Sequence, residues 1–408
     1  MVGVQFEILN LMKATGRQCP VWMLSLGLLL GCVPPVQSVE ASPHHRMPRS
    51  EVPPQPRASS RPTADAPASA SRVPPAVASP PAILDARLKS LGRSFNGKAG
   101  IAMRDLQTGW SSAYNGDEYF PQQSVSKFWV ALTALDKVDR GALQLSMPVV
   151  VRPADLTLFH QPIAGLVRGN GYSTTLRDLM YRALTQSDNT ANDVILRRAG
   201  GPEAIRAFLK RHDIDGVRFG PGERLLQSQT AGLTWRHEYS IANGFERARA
   251  NLPTAVRRTA FERYLANPID GATPAGLVDG LAKLHQGKLL SPASTQHLLS
   301  TMSNTKTGAQ RLKGGLKPGW KCAHKTGTGQ NLNGTVAGYN DVGILTAPDG
   351  RAYAIAVMIG RTKVGIPTRQ KLMNGIARSL DDADRRAVAD YLATLPPVPA
   401  AVTKGEGR

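Results

Sequence analysis

The sequence predicts an α/β fold, an antiparallel sheet with N- and C-terminal helices packed on it and an all-helical subdomain set between its first and last strands. Three observations lead there. Paired short apolar runs broken by turn signals occur at both ends of the folded region, helical periodicity fills the middle, and an amphipathic segment stands at each terminus. An antiparallel sheet closed by both ends of the chain is the arrangement that satisfies all three.

The amino end comes first. Lys13 and Arg17 precede VWMLSLGLLLGC, whose apolar core from Val21 to Leu30 is too short for a bilayer span and suits the h-region of an export signal. The stretch LLGC, Leu29 to Cys32, resembles the lipobox of bacterial lipoproteins, which implies a signal over residues 1–32 and lipid attachment at Cys32. Ordinary cleavage near Ser38 or Ala41 is the competing reading. Both place the working protein outside the cytoplasm, in the periplasm. Residues 33–82 hold 13 of the 30 prolines and no Phe, Tyr or Trp, so they bury too little apolar surface to offset their ordering entropy and read as a linker.

A folded domain is expected over residues 83–395, followed by a tail at 396–408. Ile83, Leu84, Leu88, Leu91 and Phe95 recur at helical intervals. KAGIAMRDLQTGWSSAYNGD and, far downstream, GTVAGYNDVGILTAPDGRAYAIAVMIG then read as hairpins around Gln107-Thr108-Gly109 and Pro348-Asp349-Gly350. Between them Thr175 and Asp178 form an approximate capping box, and Pro202 opens a helix after Gly200-Gly201. The last helix, about Pro367 to Leu395, returns to the sheet.

Charge narrows the chemistry only a little. Lys and Arg number 50 against 30 Asp and Glu, a net +20, so anionic partners are open. No basic run carries the interleaved aromatics that stack on bases, and nucleic acid is not expected. The eight histidines show no metal-ligand spacing, and no Gly-x-Gly-x-x-Gly follows a strand, so neither a metal nor another cofactor is implied. With Cys19 inside the signal and Cys32 lipidated, Cys322 has no intramolecular disulfide partner.

One placement demands a reason. In PQQSVSKFWVALTAL, Lys127 enters a helix that is otherwise apolar, where an unpartnered ammonium costs several kcal/mol or loses its proton. Ser124 lies three residues earlier, on the same helical face and within reach of the amine. Ser-x-x-Lys alone is weak, since SNTK at Ser303 to Lys306 is a second copy. Its company is more specific: SDN at Ser187 to Asn189, and KTGTG at Lys325 to Gly329, which is expected to open a strand. A second KTG, Lys306 to Gly308, has no strand behind it and reads as a surface loop.

Serine, lysine, second serine and second lysine in this order resemble the motif set of class A β-lactamases and penicillin-binding proteins. FPQQSVSKFWVALTAL, LTQSDNTANDVILRRAGG, DGATPAGLVDGLAKLHQGKLLS and NTKTGAQRLKGGLKPGWKCAHKTGTG are each similar to a class A stretch, in family order, from about Ile83 to Leu395. The resemblance implies a β-lactamase/transpeptidase-like fold, with Ser124 as nucleophile, Lys127 as its activating partner and Ser187 as proton relay to the leaving nitrogen. Asn189 would hold the substrate's amide side chain, and Lys325, Thr326, Gly327 and Thr328 would meet its carboxylate. The backbone N–H groups of Ser124 and Thr328 would form the oxyanion hole. Independently of family, a serine needs a base, and a lysine serves only if desolvation and a neighbouring cation depress its pKa. Phe128 and Trp129 would supply the first and Lys325 the second.

The deacylating base is expected at Glu223, followed four residues on by Gln227. This stretch departs from the family pattern: Gln227 is one methylene longer than the usual asparagine, Pro221 stands where an arginine usually braces the loop, and residues 231–267 are extra. On that pattern Gln227→Asn should speed clearance of an acyl group, and Glu238 or Glu246 would be the next candidate bases. The inserted Arg236, Arg247, Arg249, Arg257, Arg258 and Arg263 read as a solvated helix face. His160 falls where the family places an aromatic pocket wall. The expectation is an exported, monomeric serine hydrolase that opens β-lactam rings through a Ser124 acyl-enzyme. A D-Ala-D-Ala carboxypeptidase or related cell-wall hydrolase, and a non-turnover β-lactam sensor or wall-binding module, remain open alternatives.

Overall fold

The computed structural model describes residues 81–394, with side chains described from 81 to 380. The export signal, the lipobox at Cys32, nearly all of the linker and the tail lie outside the described residues.

In chain order, α1 (Ala82–Arg93) leads into β1 (Lys98–Asp105) and β2 (Ser111–Tyr114), then a short β3 (Phe120–Pro121). A 3₁₀ turn at Gln123–Ser126 runs into α2 (Lys127–Asp139). The ribbon of β4 (Pro148–Val151) and β5 (Tyr172–Thr175) precedes α3 (Leu176–Tyr181), a π turn at Arg182–Gln186, α4 (Asn189–Arg198) and α5 (Gly201–Arg211). Next come α6 (Glu223–Ala231), α7 (Gly244–Ala250), α8 (Thr254–Ala266), β6 (Gly271–Ala272), α9 (Pro274–His285) and α10 (Pro292–Ser303). The chain closes with β7 (Lys321–Thr328), β8 (Asn331–Leu332), β9 (Thr335–Thr346), β10 (Ala352–Thr362) and α11 (Ile366–Thr394).

The main sheet has the order β2-β1-β10-β9-β7, antiparallel throughout, with β8 paired to β9. Both hairpins foreseen from the sequence form here, and β1 beside β10 joins the two ends of the chain. On one face Leu84 and Leu88 of α1 and Met373 and Ile376 of α11 bury against Ile101, Met103, Ile355 and Val357. Each such side chain contributes about 1.5–3 kcal/mol by leaving water. On the other face Phe128, Trp129 and Leu132 of α2 and Leu281 of α9 join a larger core that reaches Ala354 and Met358. Because both faces are covered, β9 and β10 are buried along nearly their whole length, which explains their continuous apolar runs where a half-exposed strand would alternate.

Two local expectations change. Thr175 Oγ1 accepts from the Asp178 N–H at 3.2 Å, but the Asp178 carboxylate turns to Thr174 and Arg182, so only half of the capping box forms. The KTG of Lys325 to Gly327 lies near the end of β7 instead of opening it. The reason is pairing: Lys321 to Thr328 runs antiparallel to Thr346 back to Tyr339, so the strand starts four residues before Lys325.

The extra segment at 231–267 folds as α7 and α8 on two small cores of its own. One gathers Leu158, Ala231, Tyr239 and Phe245; the other gathers Leu226, Phe261, Tyr264 and Ala337. Arg236, Arg247, Arg258 and Arg263 are exposed as expected, whereas Arg249 and Arg257 are half-buried, Arg249 over the Phe245 ring.

Candidate active site

Ser124 sits in the 3₁₀ turn at the head of α2. The turn is entered through Gln123 at φ 53°, a left-handed conformation that costs a residue with a Cβ of order 1 kcal/mol or more and persists where its surroundings hold it. Asp270 Oδ2 holds it by accepting the Gln123 N–H at 2.8 Å. One turn on, Lys127 is buried and its Nζ donates to Ser124 Oγ at 2.6 Å, to Asn189 Oδ1 at 2.9 Å and to Glu223 Oε1. The lysine therefore enters an apolar helix because a buried carboxylate compensates its charge.

Ser187 follows the π turn at φ 61°, so a second left-handed residue stands at the cleft. Asp188 caps α4 by accepting the Ala191 N–H at 2.9 Å and ties the preceding loop through the Ile163 N–H at 2.6 Å. This cap orients Asn189, whose Nδ2 donates to the Leu158 carbonyl at 3.0 Å while its Oδ1 receives Lys127. From β7 the Lys325 Nζ donates to Ser187 Oγ at 2.9 Å and to the Thr326 carbonyl at 2.8 Å. Burial holds the Lys325 amine well below the usual lysine range, and the positive charges of Lys127 and Arg311 push it the same way.

Glu223 opens α6 directly after Gly222, at φ 97°, where a side chain would be strained and its Cβ would lie 3.0 Å from Leu196. Asp193 of α4 caps this helix from outside, accepting the N–H groups of Glu223 at 3.0 Å and Arg224 at 3.3 Å. Burial, reinforced by the Glu223 charge, pushes the Asp193 carboxyl up to about 6, and burial pushes Asp270 up to about 6 against the donors it receives from Gln123 and Tyr264. Both start from 3.8, so the fold binds these protons more tightly than the open chain does. Their contribution to stability is full below about pH 4 and is lost as pH rises through about 6. Thermal melts are expected to show an Asp193→Asn variant with a flatter midpoint-versus-pH curve than wild type between pH 4 and 6.5. Parallel curves would contradict it.

The structure reverses the reading of Gln227. Its Nε2 spans to Gln123 Oε1 at 2.9 Å and Glu223 Oε2 at 3.2 Å, while its Oε1 accepts Gln330 Nε2 at 3.2 Å. The extra methylene is what lets the amide bridge these groups, so Gln227→Asn is expected to slow clearance of an acyl group, not speed it. The loop has braces of its own despite Pro221: Gln122 Nε2 donates to the carbonyls of Arg218 at 2.8 Å and Asp270 at 2.7 Å. Glu238 is exposed and paired with Arg236, and Glu246 is exposed, so neither approaches Ser124's surroundings as Glu223 does.

Ser124, Ser187, Asn189, Thr326 and Thr328 line one cleft of about 390 Å³, with Lys127, Lys325 and Glu223 buried around it. Gly327 turns its carbonyl to Arg311 Nη1 at 2.9 Å. Phe159 and His160 form part of the wall, His160 Nε2 lying 2.8 Å from the Gln186 carbonyl. Two features escaped sequence reading. Arg311 is buried over the Tyr339 ring, donates to Thr328 Oγ1 at 2.6 Å and lines the cleft. Thr307, in the second KTG, also lines it, 2.7 Å from Thr326 Oγ1, so the supposed surface loop borders the site. Neither shows in a linear pattern, because Asp341 Oδ2 on β9 fixes the Arg311 turn by accepting the Leu312 N–H at 3.0 Å.

Comparison with known proteins fits this geometry. Residues 83–383 match the model of the beta-lactamase enzyme family. The chain belongs to that family. Beta-lactamase VEB-1 of Pseudomonas aeruginosa is 26% identical over 295 residues, 72% of this chain and 88% of that protein. The extended-spectrum beta-lactamase PER-1 of Pseudomonas aeruginosa is 29% identical over 268 residues, 65% and 75% of the two chains. Among solved structures, a beta-lactamase from Chitinophaga pinensis superposes with a TM-score of 0.61 at 28% identity, covering 74% of this chain and 99% of its own. An ancestral class A beta-lactamase gives 0.58 at 29%, covering 74% and 99%. The sheet-and-helix fold is thus that of the class A enzymes, and the chain is a hydrolase of the β-lactamase kind.

Proposed function

We propose that this protein hydrolyses β-lactams through an acyl-enzyme on Ser124. The observation that carries the reading is Lys127, whose one buried amine contacts the Ser124 hydroxyl, the Asn189 carbonyl and the Glu223 carboxylate at once. Ser124 Oγ attacks the lactam carbonyl carbon, and its proton passes to the Lys127–Glu223 pair. As the ring C–N bond breaks, the nitrogen takes a proton from Ser187 Oγ, which Lys325 replenishes across 2.9 Å. The N–H groups of Ser124 and Thr328 stabilise the oxyanion, a contribution of about 3 kcal/mol per donor. The substrate carboxylate meets Lys325, Thr326 and Thr328, with Arg311 beside Thr328 adding a positive charge. The proton taken up by the Lys127–Glu223 pair then goes to restore Lys325, which leaves Glu223 ionised; Glu223 takes a proton from water as it attacks the ester and returns it through Lys127 to Ser124 Oγ as the ester C–O bond breaks.

Glu223 beside Ser124's lysine favours turnover over stalling. A stopped-flow trace with a chromogenic cephalosporin tests this: sustained turnover is expected. A single stoichiometric burst would mark a sensor, and no signal together with release of D-Ala from a cell-wall peptide would mark a carboxypeptidase.

With this reading goes an exported, periplasmic protein anchored by lipid at Cys32, supported by the signal-like amino end. Cys32→Ser is expected to shift the protein from the membrane to the soluble fraction on cell fractionation. Unchanged membrane association would remove the anchor.

A further inference from the structure

The inserted helix α8 places one side chain against the machinery. Tyr264 is buried, its OH donates to Asp270 Oδ1 at 2.9 Å, and it accepts Gln123 Nε2 at 2.6 Å. An ionised carboxylate only accepts, so the Tyr264 proton points at Asp270 and its lone pair at Gln123. The Gln123 amide must then present its NH₂ to Tyr264 and its oxygen the other way. That oxygen receives Gln227 Nε2 at 2.9 Å, and the same NH₂ group reaches Glu223 Oε2 at 3.2 Å. Gln330 Nε2 completes the set by donating to Gln227 Oε1 at 3.2 Å, which fixes that amide's orientation as well. Donation therefore runs in one sense from Gln227 through Gln123 and Tyr264 to Asp270, and the second N–H of Gln227 turns the other way, onto the oxygen of Glu223 that Lys127 does not hold.

We propose that Tyr264 is a positioning residue for the deacylation step, and that the 231–267 insertion serves to hold the Glu223 carboxylate in place by fixing the orientation of the Gln123 and Gln227 amides. The inference rests on Glu223 being the base that activates water. Without the phenol, the Gln123 NH₂ loses its acceptor and the amide is free to turn. A turned amide would face Gln227 donor to donor and release Glu223 Oε2. Acylation uses Ser124, Lys127 and the Glu223 Oε1 that Lys127 holds, whereas this hydrogen-bonded chain ends on Oε2.

Rapid-mixing kinetics and mass spectrometry with a penicillin test the proposal in the full-length protein. In Tyr264→Phe the acylation rate is expected to match wild type while deacylation slows by roughly tenfold to a hundredfold, the scale of a misplaced reacting group. The acyl-enzyme then accumulates, and kcat and KM fall together with kcat/KM unchanged. A purely structural loss would instead lower kcat at constant KM by reducing the active fraction. Gln123→Asn breaks the chain at its middle, leaves the Tyr264–Asp270 bond in place, and suits the left-handed backbone there; it is expected to behave the same way and decides the matter should Tyr264→Phe not fold. Tyr264→Phe combined with Gln227→Ala should be no slower than Gln227→Ala alone. Wild-type deacylation in a folded Tyr264→Phe or Gln123→Asn, or additive losses in the double variant, would overturn the inference. Failure of Glu223→Gln to trap an acyl-enzyme would instead overturn the reading of Glu223 as base.

Discussion

A Ser124→Ala variant is expected to take up no penicillin covalently and to lose hydrolysis by roughly 10⁴-fold or more, since covalent catalysis fails as a unit once its nucleophile is gone. The fold should survive. Ser124 is only partly buried, and the side-chain hydrogen bond it loses, from Lys127, contributes about 0.5–1.5 kcal/mol. Lys127 keeps Asn189 and Glu223, so no buried charge is stranded. Intact-protein mass spectrometry after incubation with a penicillin reads the labelling, and a thermal melt checks the fold. A labelled, folded Ser124→Ala protein would place the nucleophile elsewhere.

Glu223→Gln should form the acyl-enzyme and then keep it. The substitution removes the carboxylate that compensates Lys127, and a buried unpaired ammonium costs about 3–5 kcal/mol. The amine keeps its contacts to Ser124 Oγ and Asn189 Oδ1, so the geometry for acylation remains. Acylation therefore stays open, while attack of water on the ester loses a general base that typically gives about 10²- to 10⁴-fold. A lasting adduct is expected where wild type clears it within the same interval. Hydrolysis at the wild-type rate would remove Glu223 from the reaction.

Much of this site is written in short motifs, because helix spacing forces it. Ser124 and Lys127 are three apart on one helical face, Ser187 to Asn189 begins α4, and Lys325 lies on a strand whose alternation turns it inward. Each needs only local geometry. Arg311, Thr307 and Tyr264 are different. Arg311 reaches the cleft through a turn fixed by Asp341, 29 positions along the chain, and Tyr264 meets Gln123 across 141. No periodicity reports contacts of that range. The capping signals were legible only in part, since Asp178 found competing donors, and the boundary of β7 was set by its partner β9 and not by its own residues. Gln227 shows the sharpest limit: read against a family pattern, its length looked like a misfit, yet three glutamines and a tyrosine are spaced so that the longer side chain completes the hydrogen bonds.

The most direct test of Ser124 as the acylated residue and Glu223 as the group that clears it is rapid-quench peptide mapping by mass spectrometry on the wild-type protein with a penicillin. The mass of one intact penicillin should appear on the peptide containing Ser124 before the first product, then decay at the rate product accumulates, and in Glu223→Gln the same peptide should stay modified. Penicillin consumed with no adduct on that peptide, or an adduct on any other residue, would contradict it.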